Sequence, residues 1–293
     1  MNVLELIQAG CYQAGIDAPS SVVTSPGPRE LQLRNLFYAT GRELRTTRIF
    51  PQLKRKYTFN LQSGREFYQL PQDFYSSLFE TQWDVSQGWP LDGPMTDAMF
   101  NWRLYGYASL ENVVGYRIFG PDINPNGSQG QFQINPIPGA TNTDEITFDY
   151  ISKTWLLPPN WEPLTAYVTT GEKYNANGNI YSLTTTGTSG SAGPVGTGTG
   201  ITDGTCIWSS VAAAYEVIIS DTDLCLFDDD LMIGGLVWRF LRMKGMDYQQ
   251  EALDFKRKID TERGRWAGAR RGNLGGGSTW MSGLNPNIPE GGF

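Results

Sequence analysis

DTDLCLFDDDLMIGGLVWRFLRMKGMDYQQEALDFKRKIDTERGRWAGARR, residues 221–271, reads as two helices joined at Gly245. Ile233, Leu236, Val237, Phe240 and Leu241 recur at i, i+3, i+4, i+7 and i+8, the stripe of an amphipathic helix. Asp228, Asp229 and Asp230 stand at its start, where carboxylates cap free amides and meet the positive end of the helix dipole. Gly245 follows Lys244, a cation in the last turn and then a residue that tolerates positive φ. Asp247 and Gln250 have capping-box spacing for a second helix, whose expected buried face is Ala252, Phe255, Ile259 and Trp266. Trp238 lies one step off the first stripe, a candidate for contact with a neighbouring subunit.

Such a hairpin cannot bury its stripe alone and must close on something earlier in the chain. Two N-terminal segments offer a partner. Val3, Leu4, Ile7, Cys11 and Ala14 form one helical face over 2–14. Leu33, Leu36, Phe37, Thr40 and Leu44 form another over 28–46, with Ser25 as the expected cap and Pro51 beyond the end. From Lys56 the period becomes two. Tyr57, Phe59 and Leu61 alternate with polar residues, a Ser-Gly follows, and Phe67, Tyr68 and Leu70 come next, which predicts a β-hairpin. Residues 83–89 and 104–110 read as short strands or turns, and 113–119, 130–134 and 145–155 as three further strands.

Composition shifts at 158–210. This window has no arginine and one lysine, Lys173, and sets Trp161, Tyr167, Tyr174, Tyr181 and Trp208 among Thr, Gly and Ser. TTTGTSGSAGPVGTGTGITDGT is a long loop closed by an Asp-Gly turn. A β-module of about 50 residues fits, small enough to need aromatic packing for stability. It separates the strand YISKTW from the helical hairpin and so reads as an insertion. The predicted class is therefore α+β: a helical bundle, made of an N-terminal helix pair and a C-terminal helical hairpin, with a β-rich part over 56–157 and a small inserted all-β module. The expected divisions are a first core part at 1–157, the module at 158–210, the core hairpin at 211–271 and an extended Gly/Pro-rich tail at 272–293.

A chain of 293 residues that is 40% apolar and 13% aromatic has a globular composition. No run approaches the ~18 consecutive apolar residues of a membrane span, so no membrane partner is expected. The N-terminus lacks a basic region and carries Glu5 within its apolar pattern, unlike a secretory signal. Cys11, Cys206 and Cys225 are odd in number and at no metal spacing, which suggests free thiols in a reducing cytosol. The chain has no histidine, which removes Ser-His and Cys-His nucleophile pairs, His-ligated metals and the commonest general base. A carboxylate-only glycosidase would need two acids converging in a cleft, and no such pair is legible. Asp221, Asp223 and Asp228 to Asp230 invite a hard-metal reading, yet they lack the glycine and terminal Glu of an EF-hand, and helix capping accounts for them better. The glycine-rich stretch at 187–200 has no following Lys-Ser/Thr and no strand–helix context for phosphate. The expectation is a protein without enzymatic activity or cofactor.

Net charge is −7, but it is unevenly placed. Residues 29–56 carry eight basic against two acidic side chains, and residues 251–272 carry seven against four, together 15 of the chain's 23 basic residues. Arg42, Arg45, Arg48, Lys54, Arg55, Lys56, Arg263, Arg265, Arg270 and Arg271 are the candidate basic contact surface, facing an acidic protein or nucleic acid. Solvated helix faces are the alternative reading. No DNA-reading motif accompanies them.

Several segments, in order, resemble the head-to-tail adaptors of short-tailed bacteriophages, the tail tubular protein A family. They are the N-terminal helix pair, YQLPQDFYSSLFETQWD at 68–84, PLDGP at 90–94, YRIFG at 116–120, NPIPG with FDYISKTW at 135–155, and DTDLCLFDDDLMIGGLVWRFLRMKGMDYQQ at 221–250. The resemblance covers about 200 residues. It implies a virion neck protein, assembled in the host cytoplasm, forming a homo-oligomeric ring of twelve copies under the portal. The ring would extend the DNA channel, pass genomic DNA without specific binding and receive the next tail or nozzle component. The 158–210 insertion departs from the family pattern. It resembles small chitin-type carbohydrate-binding modules in Trp161 and Tyr167, Tyr174 and Tyr181, GTSG at 187–190 and TDGTCIW at 202–208. That implies Trp161, Tyr174 and Tyr181 as candidate sugar-stacking rings, the alternative being that they form the core of a tiny domain. A reading as an adhesion protein acting through 158–210 follows from it. In the tail, Trp280, Met281, Leu284, Ile288 and Phe293 are the expected anchors on the portal.

Overall fold

The computed structural model describes residues 1–24, 26–47, 50–105, 114–119, 130–140, 143–211 and 215–266. Among these it has a mixed α+β fold of five helices and sixteen strands, with every strand pair antiparallel. The chain begins with α1 (Val3–Gln13) and α2 (Pro28–Thr46). Strands β1 (Lys54–Asn60), β2 (Phe67–Gln69), β3 (Phe74–Ser77), β4 (Trp83–Asp84) and β5 (Trp89–Pro90) follow, then α3 (Asp97–Tyr105). Next come β6 (Gly115–Phe119), β7 (Gln131–Asn135), β8 (Glu145–Ser152) and β9 (Leu156–Leu157). The inserted region holds β10 (Ala166–Tyr167), β11 (Lys173–Ala176), β12 (Asn179–Thr185), β13 (Gly187–Thr188), β14 (Ile201–Asp203) and β15 (Cys206–Val211). The chain then returns through β16 (Leu224–Cys225) to α4 (Asp229–Lys244) and α5 (Gln249–Trp266).

The largest core gathers α1, α2, α4 and α5. Val3, Ile7, Leu33, Phe37, Leu236 and Phe240 are all buried in it, with Trp155 at its centre. Close approach depends on glycines. A methyl at Gly10 would strike the Leu236 side chain, and one at Gly41 would sit on the Trp155 ring. Asp228 caps α4 by accepting from the amides of Asp230 and Leu231, and Gly245 ends it in the left-handed region at φ 70°. All five residues of the α4 stripe pack into this core, Leu241 only partly buried.

Other local expectations are corrected. Ser25 lies outside the described residues, and α2 starts from Gly27 with Pro28 in its first turn and no side-chain cap. The second capping box is half formed. Asp247 accepts from the Gln249 amide, but Gln250 bonds Asp254 one turn ahead instead of reaching back. On α5, Phe255 and Ile259 are buried, whereas Trp266 is 45% exposed, its indole N–H donating to Glu262. Trp266 sits at the last turn of α5. Trp238 turns toward its own chain, with ring centroids 6.2 Å from Phe255 and 6.5 Å from Tyr248.

The second core lies between two sheets. In one, β8 pairs with β1 along its length, and its other edge is shared by β3 and β4, with β5 beyond β4. The other is β2–β7–β6. Residues 57–70 are thus not a hairpin. Residues of β1 pair with 145–151 of β8 and those of β2 with 131–133 of β7. The two segments still meet, but face to face across the core, with Phe59 and Tyr68 ring centroids 4.7 Å apart. A seven-residue ladder with β8 outcompetes the short local pairing because it adds more backbone bonds and buries Tyr57 and Phe59 against Phe148 and Phe132. Within 104–110, Leu104 and Tyr105 belong to α3, and 106–110 lie outside the described residues.

A third core lies wholly within 158–211. The sheet β11–β12–β15–β14 buries Tyr167, Tyr181, Leu183, Cys206 and Trp208. The chain enters and leaves this region at one place. β9 pairs with β16, and the Leu156 amide donates to the Tyr215 carbonyl at 3.4 Å.

Candidate functional site

The basic set is divided between two places. Arg42, Lys54, Arg55 and Lys56 are exposed on α2 and β1. Arg45 is half-buried, with Nη1 2.8 Å from Glu216 Oε2 and its guanidinium 4.4 Å over the Tyr75 ring, so it ties α2 to the returning chain. Arg263 and Arg265 pair with Asp260 and Glu262 one turn back on α5, at 3.4 and 2.8 Å. Exposed pairs of this kind hold little energy and leave the charge open to a stronger partner. Arg48, Arg270 and Arg271 lie outside the described residues, as do Trp280, Met281, Leu284, Ile288 and Phe293.

The three candidate stacking rings differ. Tyr181 is fully buried, and its hydroxyl donates to the Gly196 carbonyl at 2.9 Å, so it cannot receive a sugar face. A sheet this small uses its aromatics as core. Tyr174 is half-buried, packed edge-on to Tyr167 and Trp208 at 4.7 and 5.8 Å. Trp161 is half-buried at the edge of the module core, its indole N–H donating to Asp203 Oδ2 at 2.9 Å. Asp203 also accepts from the Gly190 amide at 2.8 Å, so one carboxylate fixes both the ring and the 190 loop.

Three polar hubs stand out: those of Arg239 and Asp73 escaped the sequence reading, and at the third the carboxylates of Asp223 and its neighbour Asp221, expected to cap a helix, bond loop groups instead. Arg239 is buried beneath α2, donating to Thr40 Oγ1 at 3.0 Å and the Gly235 carbonyl at 2.8 Å, and ion-paired with Glu43. Burial pushes its pKa down, and Glu43 opposes that shift. Its position was legible in one respect, since 232, 236 and 239 share a helical face with buried Met232 and Leu236. Asp223 accepts from the Tyr215 hydroxyl and the amides of Ile219 and Ser220, while its carbonyl receives the Val3 amide. Burial raises its pKa despite these donors. Beside it, Asp221 accepts from Ser21 and the Val22 amide. Asp73 binds the hydroxyls of Tyr150 and Ser152. The carboxylates at 221, 223 and 228 thus anchor backbone and hydroxyl groups. Among the described residues, no group of three or more Cys, Asp or Glu is disposed to hold a metal ion. No helix among them is long and apolar enough to cross a membrane.

Among the described residues, two groups of exposed large apolar side chains stand out. Trp83 and Trp89 stand out on the β4–β5 hairpin. Met99, Trp102 and Tyr105 project from α3 at i, i+3 and i+6, the last 81% exposed. Large rings left in water in this number are characteristic of contact surfaces. Compared with known proteins, the chain matches no family model and no curated protein sequence.

Proposed function

We propose that this chain is a structural virion protein, a head-to-tail adaptor that forms a ring under the portal and extends the DNA channel toward the next tail component. The observation that carries the reading is where the adaptor-like segments fall. Phe74, Tyr116, Phe148, Trp155, Phe227 and Phe240 all come from them, and each is buried in one of the two main cores. In this reading α1 and α2 with α4 and α5 form the adaptor's helical bundle, and the β-rich part offers its exposed rings to neighbours. Arg42, Lys54 and Lys56 supply positive charge for an acidic partner surface. DNA would pass without specific binding, since each added phosphate contact releases counterions and would slow transit.

The test is to purify the full chain, mix it with a portal from a short-tailed phage and examine the mixture by negative-stain microscopy and light scattering. Decorated portals bearing a second ring are the expected result. A chain that stays monomeric and leaves portals bare would refute the proposal. The separate reading, sugar stacking on the module's own rings, loses Tyr181 to the core.

A further inference from the structure

A groove of about 710 Å³ opens where residues 158–211 meet the sheet built on β8. That size falls within the roughly 300–1,000 Å³ of small-molecule sites. One wall belongs to the core. Arg55 and Tyr150 are register partners on β1 and β8, and Asp73 accepts from the Tyr150 hydroxyl at 2.8 Å. The other wall belongs to the inserted region and carries Asn160, Asn175 and Asn179 beside Trp161. Asn175 Nδ2 donates to Asn160 Oδ1 at 3.3 Å. That leaves Asn160 with its amide donors and Asn175 with its carbonyl acceptor. Asn179 makes no side-chain hydrogen bond among the described residues.

The lining selects a ligand by charge and by hydrogen-bond type. It contains one cation, Arg55, and one anion, Asp73. A phosphate or carboxylate would meet Asp73, and an ammonium would meet Arg55, so a neutral ligand fits best. Side-chain amides each offer donor and acceptor together without charge. Adjacent hydroxyls on a sugar ring do the same, so a pair of them can engage one amide on both counts. The Trp161 ring, fixed through Asp203, adds an apolar surface for the carbon face of such a ring.

We propose that this groove binds a short run of neutral sugar units, with the core sheet and the inserted region both contributing. Of the module's three candidate rings it uses only Trp161, not Tyr174 or the buried Tyr181, and it does not rest on the adaptor reading. The test uses the full chain, isotopically labelled and titrated with the linear trimers of glucose and N-acetylglucosamine and with their monomers. At least one trimer should cause saturable shifts at the Asn175–Asn179 backbone and side-chain amides, with its monomer at least tenfold weaker. Asn179→Ala and Arg55→Ala, each at an accessible groove position, should each weaken that binding at least tenfold while leaving the far-UV spectrum unchanged. Absence of any saturable shift up to ~10 mM sugar would overturn the proposal, since a Kd of 1 mM would be clearly visible there. So would shifts confined to residues away from the groove, equal affinity for monomer and trimer, or binding that survives either substitution.

Discussion

Gly234 and Gly235 are adjacent in α4, and their surroundings demand opposite responses to the same substitution. Alanine in a helix interior is favoured over glycine by about 1 kcal/mol, a gain common to both sites. At 234 the added methyl would meet only Phe255 Cδ2, at 4.0 Å, an ordinary contact. Gly234→Ala should therefore stabilise the fold by about 0.5–1 kcal/mol. At 235 the methyl would fall inside the Thr40 Cγ2 methyl, with Phe255 Cε2 at 3.0 Å and Thr40 Oγ1 at 3.1 Å. Thr40 is fully buried and cannot step aside freely. Its hydroxyl donates to the Leu36 carbonyl at 3.0 Å and accepts from Arg239 Nη1 at 3.0 Å. Turning it would disrupt bonds of about 1 kcal/mol each. Keeping it would force α2 and α4 apart, an overpacking cost of about 1–3 kcal/mol. Set against the helix gain, Gly235→Ala should lose up to about 2 kcal/mol, and because that gain is common to both sites the two variants should stand about 1–3 kcal/mol apart. Urea unfolding followed by tryptophan fluorescence and far-UV circular dichroism measures the gap. Midpoints that move in the same direction, or a gap below about 0.5 kcal/mol, would show that α2 and α4 do not meet at Thr40.

Phe240→Ala should cost about 3–5 kcal/mol, as for other deleted core aromatics, and a loss below about 1 would place Phe240 outside the core. Tyr150 and Tyr215 have pKa values raised by burial first and by Asp73 and Asp223 next. The folded phenols keep protons that the unfolded chain releases near pH 10, so stability is full below that pH and falls above it, by up to about 1.4 kcal/mol per pH unit for each group. The Tyr150→Phe, Tyr215→Phe double variant should lose less stability between about pH 9.5 and 11, read as urea midpoints, and an unchanged slope would refute the assignment. Excising 158–210 and joining the flanks by a short Gly/Ser linker should leave the helical spectrum and any ring assembly intact, because β9 and β16 already hold the two flanks together. A shortened chain that folds but no longer assembles would make the insertion part of a subunit contact. Truncation before Gly272 should weaken binding to the portal, and unchanged affinity would remove the tail from the interface.

What was legible in the sequence was what neighbours along the chain decide. The α4 stripe, the Asp228 cap and the Gly245 stop all act within a turn or two, and the structure carries each of them. The β8 strand was legible too, because Ile146, Phe148 and Tyr150 are buried at every second position. Pairing was not legible. β1 alternates clearly, but alternation says which face is buried and not which strand lies beside it, and its partner lies 85–97 residues further along the chain. Helix α3 was not legible either, since 104–110 read as strand or turn, and the apolar Met99, Trp102 and Tyr105 that it presents at helical spacing lie in water. Arg239 and Asp73 are charges held by partners from remote segments, Thr40 and Glu43 for Arg239 and Tyr150 and Ser152 for Asp73. The groove at Asn175 and Asn179 was hidden for the same reason, since half of it belongs to β1 and β8.

The inserted region combines two properties that pull in different directions. Its own core and its closely joined ends suit a unit that could be removed without loss. Yet it is not free to swing on its linkers. The Lys173 ammonium lies 5.5 Å over the Tyr215 ring, and Ile180 packs against the main helical core. Lys173 and Ile180 belong to β11 and β12, the strands whose hairpin end lines the groove with Asn175 and Asn179. A binding groove shared between two bodies needs walls at a constant separation, since ordering them on binding would subtract from affinity. Loosening this junction should therefore harm the groove before it harms the fold. Lys173→Ala with Ile180→Ala should weaken saccharide binding while leaving the unfolding midpoint of the helical core within about 0.5–1 kcal/mol of the parent, because both residues lie at the margin of that core. A parallel loss of core stability and binding would mean instead that the junction is part of the core, and that the inserted region cannot be removed without it.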